Sequence, residues 1–158
     1  MFARTTSRLI QNVSRVGVRG YADNPMAFTF ASQSQVFYNA ADVKQVDVPS
    51  FSGNFGILPN HVPTLAVIKP GVLTVFEGDG SQKKFFVSSG MISINEDSSV
   101  QILAEEATNV ENLDLHTAKD LLQKANSEAA SASSEQAKAE AQIAVEVAEA
   151  LVKAAESN

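Results

Sequence analysis

The feature that most constrains the fold of this chain is an abrupt change of composition near residue 107. Every glycine and every proline lies at or before Gly90, and residues 108–158 contain neither. Glycine and proline are the strongest local signals for turns, whereas the Ala, Glu and Lys that replace them favour helix. The sequence therefore predicts a turn-rich first part and a helical second part.

The first part is predicted to form short strands divided by turns. Phe28-Thr29-Phe30 alternates apolar and polar residues, as a half-buried strand does. Gly53-Asn54-Phe55-Gly56 is predicted as a tight corner, and Glu77-Gly78-Asp79-Gly80 as a hairpin turn. Further strands are predicted at 36–38, 43–48, 65–68, 72–76, 84–87, 91–94 and 100–103. About nine strands at this spacing predict an all-β antiparallel sandwich or barrel.

The second part is predicted to form an antiparallel two-helix hairpin. Apolar residues of the first helix recur at helical spacing, at Leu113, Ala118, Leu121, Leu122 and Ala125. Residues 126–134 are predicted as a connector, and Ser133 with Gln136 as a capping box. The second helix, over residues 135–155, has the stripe Ala137, Ala141, Ala144, Ala148, Leu151 and Ala155. Because alanine buries little area, this hairpin needs the sandwich or a partner to stay folded.

The first 21 residues differ in charge from the rest of the chain. They carry all four arginines (Arg4, Arg8, Arg15 and Arg19), and no acidic residue precedes Asp23. On a helix the arginines fall within about a 60° arc, opposite an apolar side. This pattern is typical of a mitochondrial transit peptide, although a basic membrane-surface helix kept in the mature protein is an alternative. Cleavage is predicted between Tyr21 and Ala22, and three regions follow: 1–21, 22–107 and 108–158.

Composition excludes several classes of function. The formal net charge is -6, and without the four arginines eight lysines oppose 18 acids, which leaves about -10 and no arginine. An acidic body argues against nucleic-acid binding, and the lack of arginine argues against bidentate phosphate recognition. The absence of cysteine excludes disulfides and a thiol nucleophile. No run of about 18 apolar residues is present, so no transmembrane helix is predicted.

Candidate catalytic groups are few. The sequence has no Walker A, G-x-G-x-x-G or G-x-S-x-G motif, and the adjacent carboxylates Glu105 and Glu106 are expected to point to opposite faces of a strand. His61, in a loop between Pro59 and Pro63, is the most suggestive residue. It is interpreted either as a pH-sensing or partner-contacting group, or as a histidine that holds the loop through local backbone. No catalytic, cofactor-binding or metal-binding residue is predicted.

Several strings resemble one family. They are Gly53-Asn54-Phe55-Gly56-Ile57-Leu58-Pro59-Asn60-His61-Val62-Pro63-Thr64-Leu65, Pro70-Gly71-Val72-Leu73, Phe85-Phe86-Val87-Ser88-Ser89-Gly90-Met91-Ile92 and Val100-Gln101-Ile102-Leu103-Ala104. Together with the order of β part and helices, they are similar to the delta subunits of mitochondrial F-type ATP synthases, the counterparts of bacterial and chloroplast epsilon subunits. The similarity covers essentially all of the chain after the leader.

This resemblance implies a non-catalytic rotor subunit of the central stalk, without a cofactor, on the matrix side of the mitochondrial inner membrane. The implied partners are the gamma subunit, the mitochondrial epsilon subunit and the loops of the c-ring, with one copy per complex. Such a subunit couples gamma to the ring so that proton-driven rotation supports ATP synthesis. By motif match, Gly53, Asn54, Phe55 and His61 fall where the sandwich approaches the ring and gamma. Many bacterial relatives carry an acidic residue at the position of Asn54.

The resemblance also addresses nucleotide binding. Bacterial relatives that bind ATP use a short motif, L/I-D-x-x-R-A, at the start of the first C-terminal helix. Here the string runs from Leu113 to Ala118, and Thr117 replaces the arginine three residues after Asp114. We therefore expect no nucleotide binding. The alternatives are a nucleotide-sensing or inhibitory subunit of the same complex and, in another class, a small independent matrix enzyme.

Overall fold

The computed structural model describes residues 26–157, so the predicted transit peptide and the cleavage site at Tyr21 and Ala22 lie outside the described residues. The described chain forms nine strands followed by two α-helices. The strands are β1 (Met26–Ser32), β2 (Val36–Val48), β3 (Phe55–Ile57), β4 (Thr64–Ile68), β5 (Gly71–Glu77), β6 (Gln82–Val87), β7 (Gly90–Ile94), β8 (Val100–Ala104) and β9 (Ala107–Asn109). The helices are α1 (Leu115–Ser131) and α2 (Glu135–Glu156).

The strands build the predicted all-β sandwich, in the order β4-β7-β8-β1-β2-β5-β6-β9, with β3 paired to β2. The first half of β2 pairs with β1 and the second half with β5, so this strand joins the two layers. The predicted antiparallel pairing is found for every strand pair except one: β1 and β8 run parallel, with Phe28 opposite Val100. Parallel pairing cannot be made by a tight hairpin, and here the whole of β2–β7 connects the two strands.

The core lies between the layers and follows the alternation of the strands. In β1 the residues Met26, Phe28 and Phe30 are buried, and the residues between them are half-buried. Aromatic rings from β1, β2 and β6 meet in this core with centroids 4.8–6.2 Å apart: Phe28, Phe30, Phe37, Tyr38 and Phe85. The predicted strand at Phe28-Thr29-Phe30 is confirmed, and the period of two explains which of its side chains are buried.

Two predicted strands, at 36–38 and 43–48, are one continuous strand, β2. The residues between them are polar or small, which is why the sequence suggested a break. Ala40 has a φ of 47°, and the register with β1 shifts between Phe28 and Phe30. The backbone N–H of Ala40 donates to Oγ1 of Thr29 at 3.1 Å. At this irregularity a side-chain oxygen replaces a backbone acceptor, so the Ala40 N–H keeps a partner where the register shifts.

The predicted corner at 53–56 is only partly correct. Gly53 has a φ of 121° and ends a turn in which its N–H donates to the carbonyl of Ser50 at 3.1 Å. Phe55 and Gly56, however, belong to β3, because they pair with Val48 and Asp47 of β2. The predicted hairpin turn at 77–80 is present, with Gly80 at a φ of 91°. Residue propensity predicted the positions of the glycine turns. It could not predict that Phe55–Ile57, which follow the first turn, pair with β2.

The helices begin and end differently from the prediction. Helix α1 continues to Ser131, so the connector is 132–134 rather than 126–134. Serine and asparagine in the interior of α1 lower helix propensity only slightly, and packing against α2 outweighs this. The N-cap of α2 is Ser134 and not Ser133: its Oγ accepts from the N–H of Ala137 at 3.1 Å. Gln136 instead donates to Oε1 of Glu140 at 3.1 Å.

The helical hairpin packs against the sandwich through the C-terminal part of α2. Strand β9 extends the sheet to Asn109 by pairing with β6, and a 3-10 turn at Val110–Asn112 leads to α1. A second apolar cluster lies between the two parts and contains Phe86, Val110 and Ala154, surrounded by Val72, Leu113, Val147, Ala150 and Leu151. Lys84 Nζ also donates to the carbonyl of Ser157 at 3.3 Å. The hairpin is therefore held by a small apolar contact at one end.

Candidate partner-binding surfaces

The segment that carries the predicted site residues is an exposed turn followed by β3. Gly53 and Asn54 are exposed, and Phe55 is half-buried against the core. The turn is held by Ser50, whose Oγ donates to the carbonyl of Gly53 at 2.7 Å. Ser50 is itself buried and pairs with Ile68, the last residue of β4. The turn is thus anchored on both sides while its tip, Gly53 and Asn54, projects from the sandwich.

His61 lies in a second turn that returns beside β3. Its N–H donates to the carbonyl of Leu58 at 3.1 Å, and Asn60 between them has a φ of 63°. The His61 ring is 6.1 Å from the ring of Phe55, centroid to centroid. Its Nδ1 lies 2.8 Å from the carbonyl oxygen of Val62, so a protonated Nδ1 donates to local backbone there. The structure brings Phe55 and His61 together, and it gives His61 the local backbone bond that one of the two interpretations required.

The turn that holds His61 is also tied to a neighbouring loop. The N–H of Asn60 donates to Oγ of Ser98 at 3.1 Å. Ser98 is buried and has a φ of 65°, and its own N–H donates to the carbonyl of Asn95 at 3.2 Å. Two loops at one end of the sandwich therefore stabilise each other. The hydrogen bond between Asn60 and Ser98 thus restrains the turn that carries His61.

An exposed row of apolar side chains crosses the outer face of the sandwich. The register places Val67 opposite Met91, Met91 opposite Leu103, Leu103 opposite Ala31, and Ala31 opposite Val36. The row thus spans β4, β7, β8, β1 and β2. Its four large members and two neighbours, Phe51 and Leu65, are each 53–69% exposed. We call these six residues the apolar patch: Val36, Phe51, Leu65, Val67, Met91 and Leu103.

The patch adjoins the segment with the predicted site residues. The N–H of Phe51 donates to the carbonyl of Val67, and Phe51 lies two residues before Gly53. Contiguous exposed apolar surfaces of this kind mark sites of protein–protein contact. None of the six patch residues was predicted as a site residue. The sequence does contain one indication of this surface. A strand with one solvent-facing side alternates apolar and polar residues, whereas residues 65–68 are apolar on both faces of the strand.

Three carboxylates with lowered pKa values stabilise local turns. Hydrogen bonds from Ser81, Ser99 and Thr117 respectively lower the pKa values of Asp79, Asp97 and Asp114 below their ordinary values. Each donor lies two or three residues after its acceptor, so these carboxylates close turns or cap a helix. Within residues 26–157 no three His, Cys, Asp or Glu side chains are grouped as ligands for a metal ion. No helix in the same range is both long and apolar enough to cross a membrane.

Comparison with known proteins assigns the chain to a family. Residues 25–110 match the family model described as ATP synthase, Delta/Epsilon chain, beta-sandwich domain. Residues 113–154 match the metazoan delta subunit of F1F0-ATP synthase, C-terminal domain. The mitochondrial ATP synthase subunit delta of Caenorhabditis elegans is 48% identical over 94% of this chain and 96% of its own length. The chain belongs to the delta subunits of mitochondrial ATP synthase.

Solved structures agree on the fold of this delta subunit. A chain of the Euglena gracilis mitochondrial ATP synthase OSCP/F1/c-ring structure has a TM-score of 0.77 at 24% identity, covering 86% of this chain and 84% of that one. A chain from the Tetrahymena thermophila mitochondrial ATP synthase central stalk/c-ring structure has a TM-score of 0.62 at 13% identity, covering 81% and 94%. The prediction of a delta subunit of the mitochondrial ATP synthase is confirmed.

The predicted degenerate motif of the delta subunit forms the N-cap of α1. The Asp114 carboxylate accepts from the backbone N–H groups of His116 and Thr117, each at 3.2 Å. It also accepts from the hydroxyl of Thr117 at 2.5 Å. Three donors therefore satisfy this carboxylate within its own turn, as expected for an aspartate at an N-cap. Thr117, where ATP-binding relatives carry arginine, contributes two of the three, its backbone N–H and its hydroxyl.

Proposed function

We propose that this delta subunit is a non-catalytic rotor part that couples the gamma subunit to the membrane c-ring, so that proton-driven rotation supports ATP synthesis. Its partners in this proposal are gamma, the mitochondrial epsilon subunit and the c-ring loops, with one copy in each complex. The sandwich of residues 22–107 makes the ring and gamma contacts, and the hairpin of residues 108–158 stabilises the stalk. The two structural relatives support the assignment, since each comes from a mitochondrial ATP synthase structure that includes the c-ring.

The observation that carries the proposal is the apolar patch. Burying a large apolar side chain contributes about 1.5–3 kcal/mol, so six exposed ones in one patch favour a permanent contact. Five of the six residues lie on paired strands, which makes the surface stiff, and the sixth, Phe51, lies in a turn whose N–H donates to the carbonyl of Val67. A stiff, apolar face suits a subunit that transmits torque, because its contacts do not yield under load. We assign this face to a stalk partner, with gamma as the partner.

The anchored turn with Gly53 and Asn54, together with Phe55 and His61, is proposed to contact the ring and gamma. The first turn is bonded to β4 through the Phe51 N–H and the Val67 carbonyl, and the second to a neighbouring loop through Asn60 and Ser98, while Gly53 and Asn54 stay exposed. Asn54 is uncharged, so this contact depends on shape and polar hydrogen bonds rather than on an ion pair. The backbone contact of His61 supports its role in holding the turn that carries the contact.

The test uses Leu103→Glu in cells or mitochondria whose only delta subunit is the variant. A charge in the middle of the patch opposes burial, and we expect co-migration with the ATP synthase on native gels to fall at least tenfold, with a matching loss of ATP synthesis. Gln82→Glu is the control, since Gln82 is an exposed strand residue of the other layer. Retention of Leu103→Glu in the intact complex would contradict the proposed role of the patch.

We also propose that this subunit does not bind nucleotide. The support is the N-cap: the Asp114 carboxylate already accepts three hydrogen bonds, and no arginine follows residue 19. Addition of millimolar ATP to the isolated protein should leave the amide NMR signals of residues 113–122 unmoved. Saturable shifts there would favour the alternative of a nucleotide-sensing subunit.

A further inference from the structure

Three serine side chains are buried within residues 26–157, and each lies at a turn. They are Ser32, Ser50 and Ser98, which are 7%, 1% and 5% exposed. Burying a hydroxyl is unfavourable unless the hydroxyl is hydrogen-bonded, so a buried serine indicates a position where its bond is needed. Ser50 and Ser98 bond to the two turns that carry the predicted site residues.

The hydroxyl of Ser50 determines the shape of the first turn. A serine hydroxyl has one proton to donate, and Ser50 donates it to the carbonyl of Gly53 at 2.7 Å. The hydroxyl of Ser52, 2.8 Å away, therefore donates to Ser50. Gly53 lies outside the strands at a φ of 121°, so its bonds to Ser50 fix its conformation. Since Ser50 also pairs with Ile68, the turn is joined to β4 through this one residue.

Ser98 has the same role for the second turn. Its Oγ accepts from the N–H of Asn60 at 3.1 Å and donates to Oδ1 of Asn60 at 3.3 Å. Asn60 has a φ of 63°, which is uncommon for a residue with a side chain. The two bonds from Ser98 therefore stabilise the backbone conformation directly before His61.

We propose that Ser50 and Ser98 are positioning residues for the coupling of rotation. Neither serine contacts a partner, and each acts through the turn that it holds in a single conformation. A contact that transmits torque needs its contacting groups held by supporting hydrogen bonds, because a turn with several conformations lets the contact slip. The inference rests on the proposed function in one respect, that the turns around Gly53 and His61 contact the ring and gamma.

The test uses Ser50→Ala and Ser98→Gly, each in mitochondria whose only delta subunit is the variant. Glycine adopts the φ of 65° at position 98 without strain, so Ser98→Gly removes the hydroxyl alone. Proton uptake by inner-membrane vesicles is followed with a pH-sensitive dye and compared with the rate of ATP hydrolysis. We expect the number of protons pumped per ATP to fall roughly twofold or more in each variant, with an unchanged amount of complex on native gels.

Hydrogen exchange in the full-length chain measures the turns directly. The amide of Gly53 should exchange at least tenfold faster in Ser50→Ala, and the amide of Asn60 in Ser98→Gly, while the strands stay protected. Ser88→Ala is the matched control, since Ser88 Oγ accepts from the N–H of Glu106 at 3.1 Å and so joins two other loops. It should accelerate exchange at Glu106 and leave the ratio of protons to ATP unchanged.

A further variant separates this inference from the proposed function. Asn54→Trp obstructs the exposed tip of the first turn and leaves the hydroxyl of Ser50 in place. If Asn54→Trp lowers the ratio while Ser50→Ala and Ser98→Gly do not, the inference fails and the proposed contact stands. If all three variants keep a normal ratio, the proposed contact fails as well.

The remaining outcomes also decide the inference. A normal ratio in one of the two serine variants would exclude that serine as a positioning residue. An equal fall with Ser88→Ala would mean that any loosened loop lowers coupling, and would overturn the inference. Loss of assembled complex, or unchanged exchange at Gly53 and Asn60, would equally contradict it, because the serines would then be structural or the turns would not depend on them.

Discussion

At the scale of single residues, the structure depends on a few positions where the space around the backbone is fixed. Gly90 begins β7 opposite Ala104, and a Cβ at this position would lie 2.3 Å from the carbonyl oxygen of Leu103 and 2.9 Å from the Cα of Ala104. Both neighbours are backbone atoms of a central strand, so neither can move without disturbing the sheet. The sequence shows that a glycine is present, but only the pairing of β7 with β8 shows why.

Gly90→Ala should therefore lower the free energy of unfolding by about 2–3 kcal/mol. Gly78→Ala is the matched control, because a Cβ there has no neighbour within 4 Å, and its effect should stay within about 0.5 kcal/mol. Urea denaturation followed by circular dichroism measures both. Equal stability of the two variants would mean that the sheet relaxes around the added methyl group.

A second residue-scale prediction concerns a buried tyrosine and its carboxylate partner. Tyr38 donates its hydroxyl to Oε1 of Glu77 at 2.7 Å, and Lys83 Nζ lies 2.9 Å from the same oxygen. Burial, and then the bond to Glu77, raises the pKa of Tyr38 above its ordinary value. The hydrogen bonds from Lys83 and then from Tyr38 lower the pKa of Glu77 below its ordinary value of 4.5.

Because the folded state binds the Glu77 proton more weakly, the Glu77 carboxylate stabilises the fold above the unfolded pKa, and this contribution is lost as pH falls through the folded pKa. Glu77→Gln should cost about 1 kcal/mol at pH 7. The difference from the unsubstituted protein should shrink below pH of about 4.5. Urea denaturation across this pH range checks the prediction, and a difference that grows toward low pH would contradict it.

At the scale of elements, helix type follows from local sequence but helix ends depend on capping geometry. The last residue of α1, Ser131, and the connector 132–134 together contain three serines. Spacing alone favoured Ser133 as the N-cap of α2, whereas the structure uses Ser134. Adjacent serines have the same propensity, so the local sequence does not choose between them.

Ser134→Ala should destabilise the start of α2 by about 1 kcal/mol, since the Ala137 N–H loses its acceptor. The expected observation is faster hydrogen exchange in the first turn of α2, by about fivefold for 1 kcal/mol. Ser133→Ala removes a neighbouring hydroxyl that does not cap the helix, and it should leave this exchange nearly unchanged. If Ser133→Ala had the larger effect, the cap would be one residue earlier.

In the strands too, local sequence predicted some features and tertiary contacts determined others. The alternation in β1 predicted its buried face, and the glycine turns at 53 and 80 were placed correctly. The parallel pairing of β1 with β8 and the joining of two predicted strands into β2 were not predicted. Both depend on contacts between segments far apart in sequence, which local periodicity does not contain.

At the scale of the whole molecule, the hairpin and the sandwich meet through a small apolar contact. Ala154 is fully buried in it, beside Phe86 of β6 and Val110 of the 3-10 turn. The alanine-rich sequence predicted a hairpin that depends on its surroundings for stability. The structure shows that the stabilising contact with the sandwich is made by the last turns of α2.

Ala154→Glu places a carboxylate in this contact, and burying an unpaired charge costs several kcal/mol, so we expect the hairpin to undock rather than bury the charge. Hydrogen exchange in α1 and α2 should accelerate at least tenfold while the strands stay protected. Ala139→Glu, at an exposed position of the same helix, is the control and should have little effect. Unfolding of the sandwich together with the hairpin would mean that the two parts form one cooperative unit.

The sequence by itself determined the order of a β part and a helical hairpin, the acidic and arginine-free body, and the family, because these depend on composition, periodicity and short motifs. The tertiary structure alone decided the strand partners, the anchoring of the turns around Gly53 and His61, and the Asp114–Thr117 cap. It also decided which apolar residues remain exposed. Val67, Met91 and Leu103 look like core residues in the sequence, and they form a surface only because the register of β4, β7 and β8 turns them outward together. Burial is a property of the packed layers, and no single strand contains that information.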